Sequence, residues 1–339
     1  MDTPDIKRIN GYESEIADTS VILEKSSRYG EVVAWDSDYG RIALLSDIGP
    51  TRKANQDSFV FVPRRKSGPD STSLELLFGV IDGMGGYFGG EEAAEAVAET
   101  IARSSGKSLT ELICDADTAA RAVAKRLNSH AGATGAFVSI SQDELIPAIV
   151  GDGRAYVFDE KGNLRYISKD QSQVQELIDL GILDTDGAER NVVTNCFGVV
   201  EEKTDRPKFN PSISLLELTK KMKFTEKGRI INAKRLHPVY KVDLHPGHQV
   251  LVLTDGAHDA IPNREIMNLY ASGEQNPQEV VRKIKELAYT HNSGDNATAV
   301  AYIHKPWVDR TPQKKEERMR RKMKETTTVN MPIIGLRGS

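Results

Sequence analysis

Residues 76–90 read Leu-Leu-Phe-Gly-Val-Ile-Asp-Gly-Met-Gly-Gly-Tyr-Phe-Gly-Gly. The unbroken apolar run Leu76–Ile81 marks a strand covered on both faces. It stops at Asp82-Gly83, and glycines continue to Gly90. Glu91–Arg103 follows, with Ala94, Val97, Ala98 and Ile101 at helical spacing and Glu91 and Glu92 where acids favour a helix start. A buried strand, an acidic glycine-rich turn and an amphipathic helix form the unit from which the rest is read.

The pattern recurs on both sides. Strands are expected at Arg41–Leu45, Ser58–Pro63, Gly135–Ser141, Leu145–Val150, Ala155–Asp159, Leu164–Ser168, Gln249–Leu253 and Ala297–His304. Helices are expected at Leu109–Leu127, Gln173–Leu180 and Pro277–Thr290. Residues 160–163, Glu-Lys-Gly-Asn, suit a hairpin turn, and residues 66–73 form a polar turn. Strands and helices come in blocks, not in strict alternation, which argues for antiparallel meanders with paired helices and against a doubly wound sheet.

Aspartates fall at the ends of these strands. Asp82, Asp152 and Asp255 each follow an apolar run within a residue or two, while Asp57 and Asp295 precede one. If the strands share a core, their ends gather several carboxylates in one cleft. Crowded carboxylates repel and raise each other's pKa, and a divalent cation relieves the repulsion. All-oxygen ligation selects hard ions, Mg²⁺ or Mn²⁺ before zinc. The competing reading is that Asp-Gly is a common hairpin turn, and Asp186-Gly187, with no apolar run before it, is left as such.

Composition limits the alternatives. The chain has 339 residues, 39% of them hydrophobic and 28% charged, ordinary values for a globular protein. Net charge is −4, so a nucleic-acid footprint over the whole chain is not expected. The two cysteines, Cys114 and Cys196, are far apart, which points away from a disulfide framework or structural zinc and toward a reducing cytoplasm. No apolar run reaches a transmembrane length, and residues 1–10 carry Asp2 and Asp5 without the apolar core of a leader. Gly83–Gly90 does not fit GxGxxG, and no GKS or GKT follows. The seven histidines show no ligand spacing and read as surface or satisfied core positions; Cys196 reads as a buried hydrophobe.

The organisation expected is an arm at 1–40 with a short strand at Glu31–Ala34, a domain at 41–306 with a flap or insertion at about 170–245, and a basic tail at 307–339. Residues 310–325 carry eight bases against three acids. This run reads as a solvated helix, or as an address for an acidic partner or membrane surface.

Taken in order, the motifs resemble the protein phosphatase 2C-type family of metal-dependent Ser/Thr phosphatases, in particular its bacterial branch. The segments are Ser46-Asp47-Ile48-Gly49-Pro50-Thr51-Arg52-Lys53-Ala54-Asn55-Gln56-Asp57-Ser58, Gly79-Val80-Ile81-Asp82-Gly83-Met84-Gly85-Gly86, Val150-Gly151-Asp152-Gly153-Arg154-Ala155-Tyr156, Leu253-Thr254-Asp255-Gly256 and Gly294-Asp295-Asn296-Ala297-Thr298. Residues 169–172 and 190–194 are similar to the segments that bracket the family's flap. The resemblance implies an α+β fold, a four-layer αββα sandwich of two antiparallel sheets flanked by helices. It implies two Mn²⁺ or Mg²⁺ ions, with Asp82 bridging them, the Gly83 carbonyl on one and Asp255 and Asp295 on the other. Asp152 and Asp259 match the positions of a third, weaker ion. Arg52 matches the substrate phosphate clamp, and Asp57 and Gln56 would hold waters at the metals. The reaction implied is hydrolysis of phosphoserine or phosphothreonine on a protein by a metal-activated water, with a cognate Ser/Thr kinase as a further partner.

The chain departs from the family in places. Gln56 stands where many members have Glu, Gly153 replaces a common Ser, Met84 occupies the place of an animal His proposed as general acid, and residues 217–240 are long and basic. None of these removes an implied metal ligand. Two other functions compete: a non-catalytic phosphoprotein scaffold of the same fold, which loss of Asp82 or Asp255 would have indicated, and a small-molecule phosphohydrolase.

Overall fold

The structure is a computed structural model that describes residues 30–36, 40–65, 74–84, 89–103, 107–172, 174–175, 178, 193–198 and 241–306. Its strands form two sheets in which all pairings are antiparallel. The first has the order β1 (Val32–Asp36), β2 (Gly40–Asp47), β11 (Ala297–His304), β10 (Gln249–Leu253), β7 (Arg154–Phe158) and β8 (Leu164–Ile167). The second has the order β3 (Ser58–Arg65), β4 (Leu74–Met84), β5 (Gly132–Ser141), β6 (Glu144–Val150) and β9 (Val242–Asp243).

Strand alternation builds the layers. On β4, Leu77 and Ile81 face α1 (Gly90–Arg103) and α2 (Leu109–Leu127), where they meet Val97, Ile101, Leu112 and Ala116. The intervening Phe78 turns to the other sheet, its ring centroid 5.5 Å from that of Tyr302 on β11. Trp35 and Phe61 make a second contact between the sheets at 5.0 Å. On the far side, Leu251 and Leu253 of β10 and Tyr156 and Phe158 of β7 pack on α4 (Asn263–Ala271) and α5 (Pro277–Thr290) through Ile266, Tyr270, Val281 and Ile284. The result is the expected α+β sandwich of helices, sheet, sheet and helices. Among the described residues, no helix is long and apolar enough to cross a membrane.

Several elements differ from the sequence reading. The strand expected at Glu31–Ala34 lies at Val32–Asp36 and pairs with β2 along its whole length, Val33 opposite Leu44 and Trp35 opposite Ile42. The first sheet therefore starts at Val32, inside the segment read as an arm. Helix α4 was not anticipated: it spans nine residues and shows the core only Ile266 and Tyr270 as buried residues, too short a stripe to stand out. The turn at 66–73 and the residues of Asp186-Gly187 lie outside the described residues. So do most of the helix expected at 173–180, most of the 170–245 insertion, and the 307–339 tail.

Register sets the location of the acidic residues. Ser58 pairs with Ile81, Gly135 with Val150, Leu253 with both Arg154 and Ala299, and Asp47 with Ala297. The start of β3, the ends of β4, β6 and β10, and the start of β11 consequently share one end of the sandwich.

Candidate metal centre

That end collects the strand-terminal aspartates. Asp82 lies two residues before the end of β4, opposite Thr134, Asp57 precedes β3, Asp152 lies between β6 and β7, and Asp295 precedes β11. Asp255 opens the one-turn helix α3 (Asp255–His258) directly after β10. Asp259 N–H donates to the Asp255 carbonyl at 2.7 Å, so the two acids stand one turn apart, Asp259 at the exposed end.

The carboxyls feel one another. Burial pushes Asp82 well above the usual carboxylate range, and the charges of Asp57, Asp152 and Asp295 push it further. Asp255 is raised by burial and then by Asp82, Asp152, Asp295 and Asp259. Burial lifts Asp57 to about 7, with Asp255 adding to the shift. Burial lifts Asp152 to about 6, against a lowering from His258 and a raising from Asp170 and Asp259. Six of the acids singled out in the sequence are thus in electrostatic contact.

Asp57 is held by a directed chain of hydroxyls. Its Oδ2 accepts from Thr298 Oγ1 at 2.6 Å and from Thr254 Oγ1 at 3.0 Å. Thr298 spends its proton on Asp57, so Ser46 Oγ donates to Thr298 Oγ1 at 2.8 Å; Asn55 Nδ2 in turn donates to Ser46 Oγ at 2.8 Å. Asp57 Oδ1 is buried without a donor partner, and the Asp57 carboxyl stands against that of Asp82. An orphan carboxylate oxygen among acids is costly unless a cation or its water faces it.

The loop 48–56 is tied down by several contacts, three of them made by one side chain. Asn296 Nδ2 donates to the carbonyls of Ile48 at 2.8 Å and Ala54 at 3.0 Å, and its Oδ1 accepts from Gln56 N–H at 2.9 Å. Arg52, on this loop, reaches Asp295 with Nη2 to Oδ2 at 2.5 Å. Backbones pack closely beside it: a Cβ on Gly83 would lie 2.3 Å from the Gly90 carbonyl oxygen, and one on Gly256 would lie 2.0 Å from the Asn296 oxygen. Only glycine fits at either place.

Asp152 is secured from behind. Gln171 Oε1 accepts from Gly151 N–H at 3.0 Å and from Asn195 Nδ2 at 2.6 Å, and its Nε2 donates to the Ile149 carbonyl at 2.9 Å. Arg154 grips Asp170, the neighbour of Gln171, through Nε at 2.7 Å and Nη2 at 2.5 Å.

All these oxygen donors fit Mg²⁺ or Mn²⁺ and offer no soft ligand. Among the described residues, no three acidic, histidine or cysteine side chains are drawn as close as a bound ion would hold them. Two carboxylates turn inward instead. Asp255 Oδ1 accepts from Gly256 N–H at 2.6 Å and Asp295 Oδ1 from Asn296 N–H at 2.7 Å, while the other Asp295 oxygen goes to Arg52.

Sequence reasoning left several residues without a role. Thr254, Thr298, Ser46 and Asn296 lay within the motifs, but hydrogen-bond direction is not visible in a sequence. His258 was read as surface or satisfied core; it is fully buried and touches both Asp152 and Asp259.

Residues 53–291 match the family model of protein phosphatase 2C. Arg52 and Asp295 fall just outside that stretch. A rice (Oryza sativa subsp. japonica) relative described as probable protein phosphatase 2C 7 is 23% identical over 280 residues, covering 80% of this chain and 68% of that one. The fold is similar to that of the S. agalactiae serine/threonine phosphatase, with a TM-score of 0.59, 21% identity, and 79% of this chain and 100% of that one covered. It is also similar to the catalytic domain of the serine/threonine phosphatase PstP solved with two manganese ions, with a TM-score of 0.54, 22% identity, and coverage of 79% and 99%.

Proposed function

This chain belongs to the protein phosphatase 2C family and is a metal-dependent Ser/Thr protein phosphatase, and on that premise we propose which of its residues do the work. Asp82, the Gly83 carbonyl, Asp255 and Asp295 would hold two ions, Mn²⁺ or Mg²⁺, and Asp152 with Asp259 a third, weaker one. When bound, such ions supply hydroxide at neutral pH and neutralise charge on the phosphoryl oxygens. The observation that carries this reading is the cluster of buried acids at one end of the sandwich, whose proton affinities are raised first by burial and then by each other's charge.

The protein's own groups do the rest. Arg52 presents a planar fork of donors that matches two phosphoryl oxygens, and it is exposed where a peptide can reach it. Asp57, with Oδ2 held by two hydroxyls and its carboxyl against that of Asp82, would orient a water at the ions. Gln56, fixed through Asn296, sits next to it as a neutral donor and acceptor. Met84 carries no proton, so the leaving serine or threonine oxygen takes its proton from solvent.

The substrates are phosphoproteins, and a cognate Ser/Thr kinase would supply them. Cys114 and Cys196 form no disulfide, which suits a cytoplasmic setting, and the basic tail would address an acidic partner. A panel of phosphoserine and phosphothreonine peptides, nucleotides and an aryl phosphate, with Mn²⁺ or excess chelator, tests the assignment. Peptide turnover that needs the metal supports it. A preference for nucleotides would favour a small-molecule phosphohydrolase, and binding without turnover a scaffold.

A further inference from the structure

Asp47 is the last residue of β2, opposite Ala297, and is buried. The chemistry proposed above makes no use of it. Its carboxyl collects three donors. Tyr289 O–H and Gly49 N–H both donate to Oδ1, the latter at 2.9 Å, and Lys285 Nζ donates to Oδ2 at 3.1 Å. Lys285 and Tyr289 stand four residues apart on α5, so one face of that helix grips the carboxyl. Burial raises the proton affinity of Asp47, but these donors outweigh it and hold the pKa below its ordinary value, so the group is an anion.

The grip is passed to the loop that carries Arg52. Gly49, whose N–H Asp47 holds, has a φ of +77° and packs flat on the next chain segment: a Cβ there would stand 2.1 Å from the Asp295 carbonyl oxygen. Thr51 Oγ1 donates to the Gly294 carbonyl. Arg52 follows, its guanidinium on Asp295 and 48% of its side chain exposed. An exposed arginine is free in its rotamers, so where it can reach is set by the backbone of residues 49–51. Asn296 ties this loop at Ile48, Ala54 and Gln56, and Asp47 adds an anchor on α5, outside the acidic cluster.

We propose that Asp47, held by Tyr289 and Lys285, is a positioning residue that keeps Arg52 in reach of the substrate phosphoryl group, a role that rests on the assignment of Arg52 as the phosphate clamp made above. Among the described residues, the hydrogen bonds of the Asp47 carboxyl go to none of the acids assigned to the ions. Its effect falls on substrate affinity and spares the metals.

The test measures phosphopeptide kcat and KM at saturating Mn²⁺, together with inhibition by inorganic phosphate, in the full chain. The variants are Tyr289→Phe, which keeps the ring and removes one hydroxyl, Asp47→Ala, Asp47→Asn, Arg52→Ala, and Arg52→Ala combined with each of the first two. KM and the inhibition constant of phosphate should rise about fivefold in Tyr289→Phe and in Asp47→Ala, the factor that one net hydrogen bond is worth, with kcat within about twofold of wild type. Asp47→Asn, whose amide oxygen can still accept from Gly49, should lie between Asp47→Ala and wild type. In the Arg52→Ala background neither change should add a further loss, because both act through that side chain. Wild-type KM in Asp47→Ala would overturn the proposal. So would an undiminished loss in the Arg52→Ala background, since Asp47 would then serve the fold or the metals. Should Asp47→Ala fail to fold, Tyr289→Phe decides by the same two criteria. Wild-type KM in Arg52→Ala itself would remove the clamp and this proposal with it; a weakened Arg52→Ala beside wild-type Asp47→Ala would overturn the positioning role alone.

Discussion

Arg52 and Asp295 meet at the acidic end of the sandwich as an exposed ion pair, Nη2 to Oδ2 at 2.5 Å. One partner is the proposed phosphate clamp and the other a proposed metal ligand. An exposed pair of this kind is worth little, so a divalent ion can claim Asp295 at small cost and release the guanidinium toward a phosphoryl group.

Arg52→Ala should therefore leave Mn²⁺ affinity unchanged or slightly tighter, because a competing cation is gone. KM for a phosphopeptide should rise by about tenfold or more, the loss expected for a charge-assisted bidentate contact. Arg52→Lys should recover only part of it, since an ammonium cannot bind two oxygens in parallel. Steady-state kinetics beside a metal titration separate the two effects; wild-type KM in Arg52→Ala would make the residue a bystander.

Metal-free stability should depend on pH with a defined sign. The folded-state pKa values of Asp57, near 7, and Asp152, near 6, exceed the unfolded value of 3.8, and Asp82 and Asp255 are raised as well. The folded chain holds protons that the unfolded chain releases. The resulting stability is complete below the unfolded value and is lost as pH rises through the folded values. The Tm of metal-free protein should thus fall between about pH 5 and pH 8, and saturating Mn²⁺ should raise Tm more at the upper end. Asp57→Asn should flatten the metal-free slope and reduce the Mn²⁺ increment. A metal-free Tm that does not change across this window would contradict the crowding of carboxylates.

Asn296 ties Ile48, Ala54 and Gln56 to the strand that follows Asp295. Asn296→Ala removes three hydrogen bonds to buried or half-buried backbone, at a cost of about 2–4 kcal/mol. Thermal unfolding should show that loss, and kcat should fall more than stability alone explains at a temperature where the variant is folded, because Arg52 and Gln56 ride on the freed loop. Unchanged kcat in a destabilised variant would mean that the loop's position is set elsewhere.

The sequence was most legible where burial is two-sided. Leu76–Ile81 and Val250–Leu253 have no polar residue to disguise their period, and the aspartates that follow them were visible as a set. Pro277–Thr290 was readable from Asn276 as N-cap, proline at the first turn and a strong apolar stripe. Less legible were elements whose identity comes from a partner. Val242–Asp243 is a strand only because it pairs with Glu144 and Leu145. His258 has no nearby histidine in sequence, so nothing local announced that a carbonyl from Asp152 would meet it. The pairing of Arg52 with Asp295 likewise spans two chain segments that register alone brings together.

The account stands most directly on Mn²⁺ binding and phosphopeptide turnover measured together in wild type and Asp82→Asn. The wild-type chain should bind Mn²⁺ and hydrolyse a phosphothreonine peptide, with activity abolished by excess chelator and restored by added metal. Asp82→Asn should remain folded, lose the tight ions and lose turnover by about a thousandfold or more, as expected when the group that helps make the nucleophile is removed. Undiminished hydrolysis in chelator, or a folded Asp82→Asn that binds Mn²⁺ as tightly as wild type, would contradict a carboxylate metal centre at this end of the sandwich.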